Sequence, residues 1–237
     1  GSNYLEALAG TETVVFDKTG TLTKGSFRVT AVHPDEISED RLLELAALAE
    51  SYSSHPIALS LRAAYGKEPD ETRVSDVEEV SGRGVKATVD GRKVCAGNGK
   101  LMDEAGAVWH DCHLSGTTVH VAVDGEYAGH IVISDEVKED AKAAVQALKA
   151  QGVKKTVMLT GDSPRTAAAI AKELGVDDFR AGVLPADKAD YVAALRREGH
   201  TVLMVGDGIN DSPALSEADA GIAISDGAAI AREIADI

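Results

Sequence analysis

Asp17 closes a short apolar run, Thr13-Val14-Val15-Phe16, and is followed at once by Lys18-Thr19-Gly20-Thr21. Two comparable junctions come much later. Thr160-Gly161-Asp162 follows Thr156-Val157-Met158-Leu159, and Gly206-Asp207-Gly208-Ile209-Asn210-Asp211 follows Val202-Leu203-Met204-Val205. Apolar runs of this length read as buried strands feeding loops. In open α/β sheets, ligands bind at the carboxyl ends of the strands. Three such loops put two carboxylates (Asp17, Asp207), one or two cations (Lys18, with Lys188), the Thr160 hydroxyl and Gly-rich backbone at one edge. That set suits a phosphate with Mg²⁺ beside it. Mg²⁺ takes carboxylate and carbonyl oxygens together with phosphate, and glycines let backbone N–H groups approach a phosphate closely. There is no Walker A pattern, so phosphate is expected to move by attack of a side chain. A carboxylate can be that nucleophile and form an acyl phosphate. Asp17 is the natural choice, with Lys18, Lys188 and Mg²⁺ neutralising the transferring group. One isolated Asp-Gly or Thr-Gly-Asp is more simply a strand-end turn or helix cap, but three such loops in this order are not.

These loops need elements to position them. Helices are expected over Glu39 to about Glu50 with Ser38 as N-cap, after His55-Pro56, and over Val137–Ala150, Pro164–Leu174 and Lys188–Arg197. Arg73 to Val94 is strand-like, with Asp90-Gly91 as a hairpin turn; Thr118–Val123, Asp124-Gly125 and Tyr127–Ile133 form a second hairpin. Strands alternating with helices in the later half imply a parallel sheet with crossovers. Two domains are therefore expected: an α/β domain of residues 1–30 and 131–237, and an inserted α+β domain of residues 31–130 with antiparallel hairpins.

Composition narrows the partners. A chain of 237 residues has ample length for a core. It is 44% hydrophobic and 27% charged, which is ordinary globular material. Lys and Arg number 24 against 39 Asp and Glu, a net charge of −15, which argues against a nucleic-acid groove or an anionic membrane surface. Two cysteines, Cys95 and Cys112, cannot build a disulfide framework and suit a reducing compartment. No run approaches the roughly 18 apolar residues of a membrane span, and no signal peptide is visible. Gly1-Ser2 looks like a cloning remnant and the chain stops abruptly in Ile234-Ala235-Asp236-Ile237. A piece excised from something longer is expected.

Asp17-Lys18-Thr19-Gly20-Thr21-Leu22-Thr23 resembles the phosphorylation signature of P-type ATPases. Thr160-Gly161-Asp162 and Gly206-Asp207-Gly208-Ile209-Asn210-Asp211-Ser212-Pro213 resemble the two later signatures of that family, in the same order. The resemblance implies a haloacid-dehalogenase-like (Rossmann-like) phosphorylation domain with an inserted nucleotide-binding domain. It implies that Asp17 accepts the γ-phosphate of ATP. Mg²⁺ would be held by Asp17, the Thr19 carbonyl and Asp207. Thr160, Gly161, Lys188 and Asn210 would contact the phosphate, and Asp211 would support the Mg²⁺ loop. Lys188 is placed by the segment Leu184-Pro185-Ala186-Asp187-Lys188. Phosphatases of the wider superfamily carry a second Asp two positions after the nucleophile, where this chain has Thr19. Without a carboxylate there to activate water, the aspartyl phosphate should persist.

Within the insert, Ser54-His55-Pro56 resembles the Ser-x-His-Pro motif of the heavy-metal-transporting subclass, with Glu50 five positions before His55. Gly82-Arg83-Gly84 and Gly97-Asn98 resemble its nucleotide-binding segments. The chemistry agrees: His55 can stack on or hydrogen-bond adenine, Glu50 can accept from its exocyclic amine, and Gly82, Gly84 and Asn98 admit the phosphates. Each alone is as simply a helix start or a turn. The resemblance implies the cytoplasmic unit of an integral membrane protein that exports a heavy-metal ion, closer to the zinc/cadmium branch than to copper. Its partners would be ATP, the actuator and transmembrane domains of the same protein, and a cargo ion not bound here. A soluble phosphatase of the same superfamily and a non-catalytic nucleotide-binding module are the alternatives. One cluster stands apart. His110, Cys112 and His113 could bind Zn²⁺ or Cu⁺, but their spacing matches no closed four-ligand pattern, and an exposed loop is expected. His33, His120, His130 and His200 have no evident partners.

Overall fold

The runs ending at Phe16, Leu159 and Val205 are apolar at nearly every position, which calls for a sheet covered on both faces. The computed structural model describes residues 10–225, 229 and 230; Gly1-Ser2 and Ile234–Ile237 lie outside them. β1 (Thr13–Asp17), β8 (Lys155–Leu159), β9 (Asp178–Arg180), β10 (Val202–Asp207) and β11 (Ala220–Ile224) form one parallel sheet, ordered β11-β10-β1-β8-β9. Alternate residues serve opposite cores. Val14, Phe16, Met158, Leu203 and Val205 pack with residues of α4 (Ala141–Ala150) and α5 (Pro164–Leu174). Val15, Val157, Leu159, Val202 and Met204 pack with α6 (Asp187–Arg197) and α7 (Ser212–Glu217). Strand order reverses at β1, so the crevice for a ligand opens beside its carboxyl end.

The second sheet is antiparallel and ordered β2-β7-β6-β5-β4-β3. Its strands are β2 (Thr23–Pro34), β3 (Val74–Val80), β4 (Gly84–Val89), β5 (Arg92–Gly97), β6 (Thr117–Val123) and β7 (Glu126–Val137). α1 (Glu39–Ala49) and α2 (Pro56–Tyr65) supply Leu42, Leu45, Leu48 and Leu61 to the core on one face, against Val85, Val94, Val121 and Ile131. On the other face Leu101 and Met102 of α3 (Gly99–Ala105) pack with Ala107, Ala122, Trp109 and Tyr127.

The chain divides into two compact units, one up to Ser26 and from Asp135 onward, the other Phe27–Ser134. These limits differ by four residues from the expected 30 and 131 because β2 and β7 run unbroken through both crossings. The helix expected from Val137 starts at Ala141; β7 continues to Val137, and Lys138 N–H donates to the Leu22 carbonyl at 2.9 Å. β2, β9, β11, α3 and α7 were not expected. The last four are three to seven residues long, too short for a periodic pattern.

Candidate functional site

Register alone explains why the three loops meet. β1 lies between β10 and β8, Asp17 stands opposite Leu159, and Phe16 stands opposite Val205. Thr160 therefore leaves β8 one step past Asp17's neighbour, and Asp207 ends β10 on the other side. The turn Lys18–Leu22 reverses the chain tightly, and Gly20 adopts φ 76°, a left-handed conformation that glycine takes without strain. A side chain begun at Gly20 would meet Asp207 Oδ2 at 3.9 Å, so the first and third loops abut.

Asp17 shares the face of Val15, toward α6, and Lys188 sits in the first turn of that helix. Lys188 Nζ lies 3.0 Å from Asp17 Oδ1 and 2.9 Å from Asp211 Oδ1. The other Asp211 oxygen accepts from Asp207 N–H at 2.8 Å. Asp207 Oδ1 accepts from Ile209 N–H at 2.7 Å, and Asn210 Nδ2 donates to Asp207 Oδ2 at 3.2 Å. Lys18 points to Asp162 Oδ2 at 2.6 Å, not to Asp17. The Thr160 hydroxyl accepts from Asp162 N–H at 3.0 Å, closing a small loop around exposed Gly161. Thr19 is exposed. Asp17, Lys188, Asp207, Asn210, Asp211, Thr160 and Gly161 thus lie around one sheet edge.

One cation here serves two buried carboxylates, which leaves negative charge where water is scarce. Burial, then repulsion from Asp211, pushes Asp17 up to about 7 against the opposing pull of Lys188. Burial also works against charged Lys188, but its bonds to Asp211 and Asp17 outweigh that and hold its pKa above the usual lysine value. A divalent cation would relieve this imbalance. The donor set fits Mg²⁺: carboxylate oxygens of Asp17 and Asp207 and a backbone carbonyl at Thr19, all hard. Thr21 Oγ1, buried and without a hydrogen-bond partner among the described residues, belongs to the same turn.

A second site lies within Phe27–Ser134. A cavity of about 400 Å³ is lined by Glu50, Tyr52, His55, Gly82, Gly84 and Asn98, with Val77 and Val119 on its walls. The five residues singled out in the insert all border it. Local structure fixes each of them. His55 caps α2 by accepting Ile57 N–H at Nδ1, which leaves the proton on Nε2 of the neutral ring. Asn98 caps α3 through Oδ1 and donates from Nδ2 to the Gly82 carbonyl at 2.9 Å. Arg62 donates to the Ser51 and Ser53 carbonyls at 2.6 and 2.8 Å and so holds the Glu50–His55 loop. β4 and β5 approach so closely that a Cβ on Gly84 would stand 2.2 Å from the Ala96 carbonyl oxygen. Burial, then repulsion from Glu79, raises the Glu50 pKa, with Arg62 opposing. Tyr52, Arg62, Val77 and Val119 were not singled out in the sequence. Val77 and Val119 come from strands whose only pattern is the alternation of the core.

A family model described as haloacid dehalogenase-like hydrolase matches residues 11–219. The cadmium, zinc and cobalt-transporting ATPase of Bacillus subtilis (strain 168) is 51% identical over 242 residues, covering 100% of this chain and 34% of that protein. The structure of a zinc-transporting PIB-type ATPase in the E2.Pi state matches with a TM-score of 0.79 at 38% identity, covering 98% of this chain and 39% of that one. The catalytic domain of the CPx-ATPase CopB-B, studied for conformational changes upon nucleotide binding, matches with a TM-score of 0.70 at 30% identity. Here the cover is 100% of this chain and 87% of that one. The chain spans about a third of the length of the transporting ATPases it matches. No helix among the described residues is long and apolar enough to cross a membrane.

Proposed function

The chain belongs to the haloacid dehalogenase-like hydrolases, as the catalytic portion of a P-type ATPase of the heavy-metal class, and from that premise we propose that it binds ATP in the inserted unit and takes the γ-phosphoryl group onto Asp17. Adenine enters the apolar cavity, where Glu50 accepts from the exocyclic amine and the His55 ring stacks or donates from Nε2. Gly82, Gly84 and Asn98 border the phosphates. The Asp17 carboxylate oxygen forms a bond to Pγ as the bond to the ADP oxygen breaks, and ADP leaves with that electron pair. Lys188, the Thr160 hydroxyl, the Gly161 N–H and Asn210 contact the transferring group. Lys18 steadies the Thr160–Asp162 loop through Asp162. Mg²⁺, held by Asp17, the Thr19 carbonyl and Asp207, supplies neutralisation of phosphoryl charge when bound. Asp211 positions both Lys188 and the Asp207 backbone.

The single observation that carries this reading is Asp17 itself: a carboxyl with 4% exposure, 3.0 Å from a lysine, at the carboxyl end of the central parallel strand. In the whole protein, phosphorylation would drive export of a heavy-metal ion, zinc or cadmium before copper, through a transmembrane domain, with an actuator domain speeding dephosphorylation. This unit would lie on the cytoplasmic side and would not transport alone. The test is acid-quenched labelling of the purified chain with γ-labelled ATP and Mg²⁺. Label should appear in the wild type and vanish in Asp17→Asn, while ATP affinity measured by calorimetry is kept. Label retained in Asp17→Asn would refute the assignment.

A further inference from the structure

The face of the antiparallel sheet away from α1 and α2 carries a polar cluster that the ATPase chemistry does not use. His120 and His130 stand directly opposite each other on β6 and β7. The Asp124-Gly125 turn folds Tyr127 onto the same face, and β2, the edge neighbour of β7, brings His33 alongside. His33 Nδ1 faces His130 Nε2 at 2.9 Å. The Tyr127 hydroxyl joins His130 Nδ1 at 3.1 Å and His120 Nδ1 at 2.7 Å. Cys112 projects into this cluster: the run read from sequence as an exposed loop does expose His110, Asp111 and His113, but it buries the thiol. Cys112 is not in a disulfide. The ligand atoms of His33, Cys112 and His130 all lie within 4.8 Å of one another.

We propose that His33, Cys112 and His130 form a metal site for a zinc-class divalent ion, with the fourth position open to water. Two imidazole nitrogens and one thiolate are the donor set that borderline-soft Zn²⁺ selects, and three protein ligands with one open position is an ordinary zinc geometry. Tetrahedral coordination at ordinary Zn–N and Zn–S lengths puts donor atoms roughly 3–4 Å apart, so contraction within the existing cluster suffices. The Tyr127 hydroxyl on the far nitrogen of His130 is the outer partner that orients a ligating imidazole. The proton shared between His33 and His130 moves to an outer ring nitrogen by tautomerisation. The thiol loses its proton as the Zn–S bond forms, so one proton is released per ion bound.

The site is independent of Asp17 and of nucleotide, and its test is kept separate from them. The whole chain is titrated with Co²⁺ and then Zn²⁺ in excess Mg²⁺, which occupies the carboxylate site, and absorption and calorimetry are followed. The expected result is one ion per chain, tetrahedral cobalt bands with thiolate charge transfer, and release of one proton. Cys112→Ser should remove the charge-transfer band. His130→Gln and His33→Asn should weaken Zn²⁺ by at least the ~10–100-fold that losing an outer partner brings. ATP affinity, set on the other face of the sheet, should be unchanged and reports the fold. No stoichiometric binding in the wild type, or cobalt bands unchanged in Cys112→Ser, would overturn the proposal.

Discussion

In the proposed function Asp17 is the nucleophile, and its carboxyl is held in a state of electrostatic tension. Its pKa of about 7 in the folded chain stands above the ordinary carboxyl value of 3.8. Below 3.8 the group is protonated in both folded and unfolded chains and has no effect. As pH rises from 3.8 to 7, the unfolded chain ionises first, so stability falls across that window and the full loss is present above it. Asp17→Asn removes the charge. In the absence of Mg²⁺ at neutral pH it should melt higher than wild type by a few °C, on the order of what 1 kcal/mol gives a chain of this size. Differential scanning calorimetry should show the gap closing near pH 4, and Mg²⁺ should raise the wild-type transition but not the variant's. Thr19 makes a second residue-scale case. Placing a carboxylate two positions after the nucleophile supplies the missing base for water. Thr19→Asp should therefore shorten the life of the aspartyl phosphate in a chase with cold ATP, by up to the ~10²–10⁴-fold that general base catalysis gives. These residues were legible because each sits in a loop with an unusual run of functional groups. The Lys18–Asp162 pair was not, since nothing in either loop says that Lys18 turns away from Asp17.

At the scale of elements, the cavity proposed for the nucleotide is bordered by helix caps. His55 and Asn98 each cap the start of a helix and border the cavity, so one residue satisfies a backbone donor and, in the proposed function, also serves as a recognition group. His55→Gln can keep part of the cap but loses the imidazole, and Gly82→Asp would aim a carboxylate at the phosphates of the proposed nucleotide. Gly82 has φ 68°, a Cβ added there would meet no atom within 4 Å, and Asp tolerates that backbone better than most residues. Both variants should therefore keep the circular dichroism spectrum and melting cooperativity while weakening ATP in calorimetry by ~tenfold or more, since about 1.4 kcal/mol is one decade. Wild-type affinity in both would rule the cavity out as the adenine site. Long elements with strong periods, such as α5 at Pro164–Leu174, and Asp-Gly hairpins could be read from sequence alone. β2 could not: its residues are mostly exposed or half-buried, so no clean alternation marks it, and it forms because β7 lies beside it. The Cys112 cluster was hidden for a similar reason. Its members come from residues 33, 112 and 130, and only the sheet brings them together.

At the scale of the whole molecule, an antiparallel unit interrupts an α/β unit soon after the turn Lys18–Leu22. β1 and its turn are complete by Leu22, and the chain returns at Asp135, whose carboxylate accepts from Thr23 Oγ1 at 2.5 Å. The interruption separates Asp17 from Thr160 and Asp207 by more than a hundred residues, yet parallel pairing on both sides of β1 brings them to one sheet edge. The unit that fills the gap carries the cavity proposed for the nucleotide, so on that reading donor and acceptor belong to one polypeptide. The most direct measurement is a map of the covalent phosphate. The chain is incubated with Mg²⁺ and ATP, acid-quenched and reduced with borohydride, which converts an aspartyl phosphate to homoserine, and its peptides are sequenced by mass spectrometry. Homoserine should appear at position 17 alone and be absent without ATP; homoserine at another aspartate, or steady ATP hydrolysis with position 17 never modified, would be incompatible with Asp17 as the acceptor.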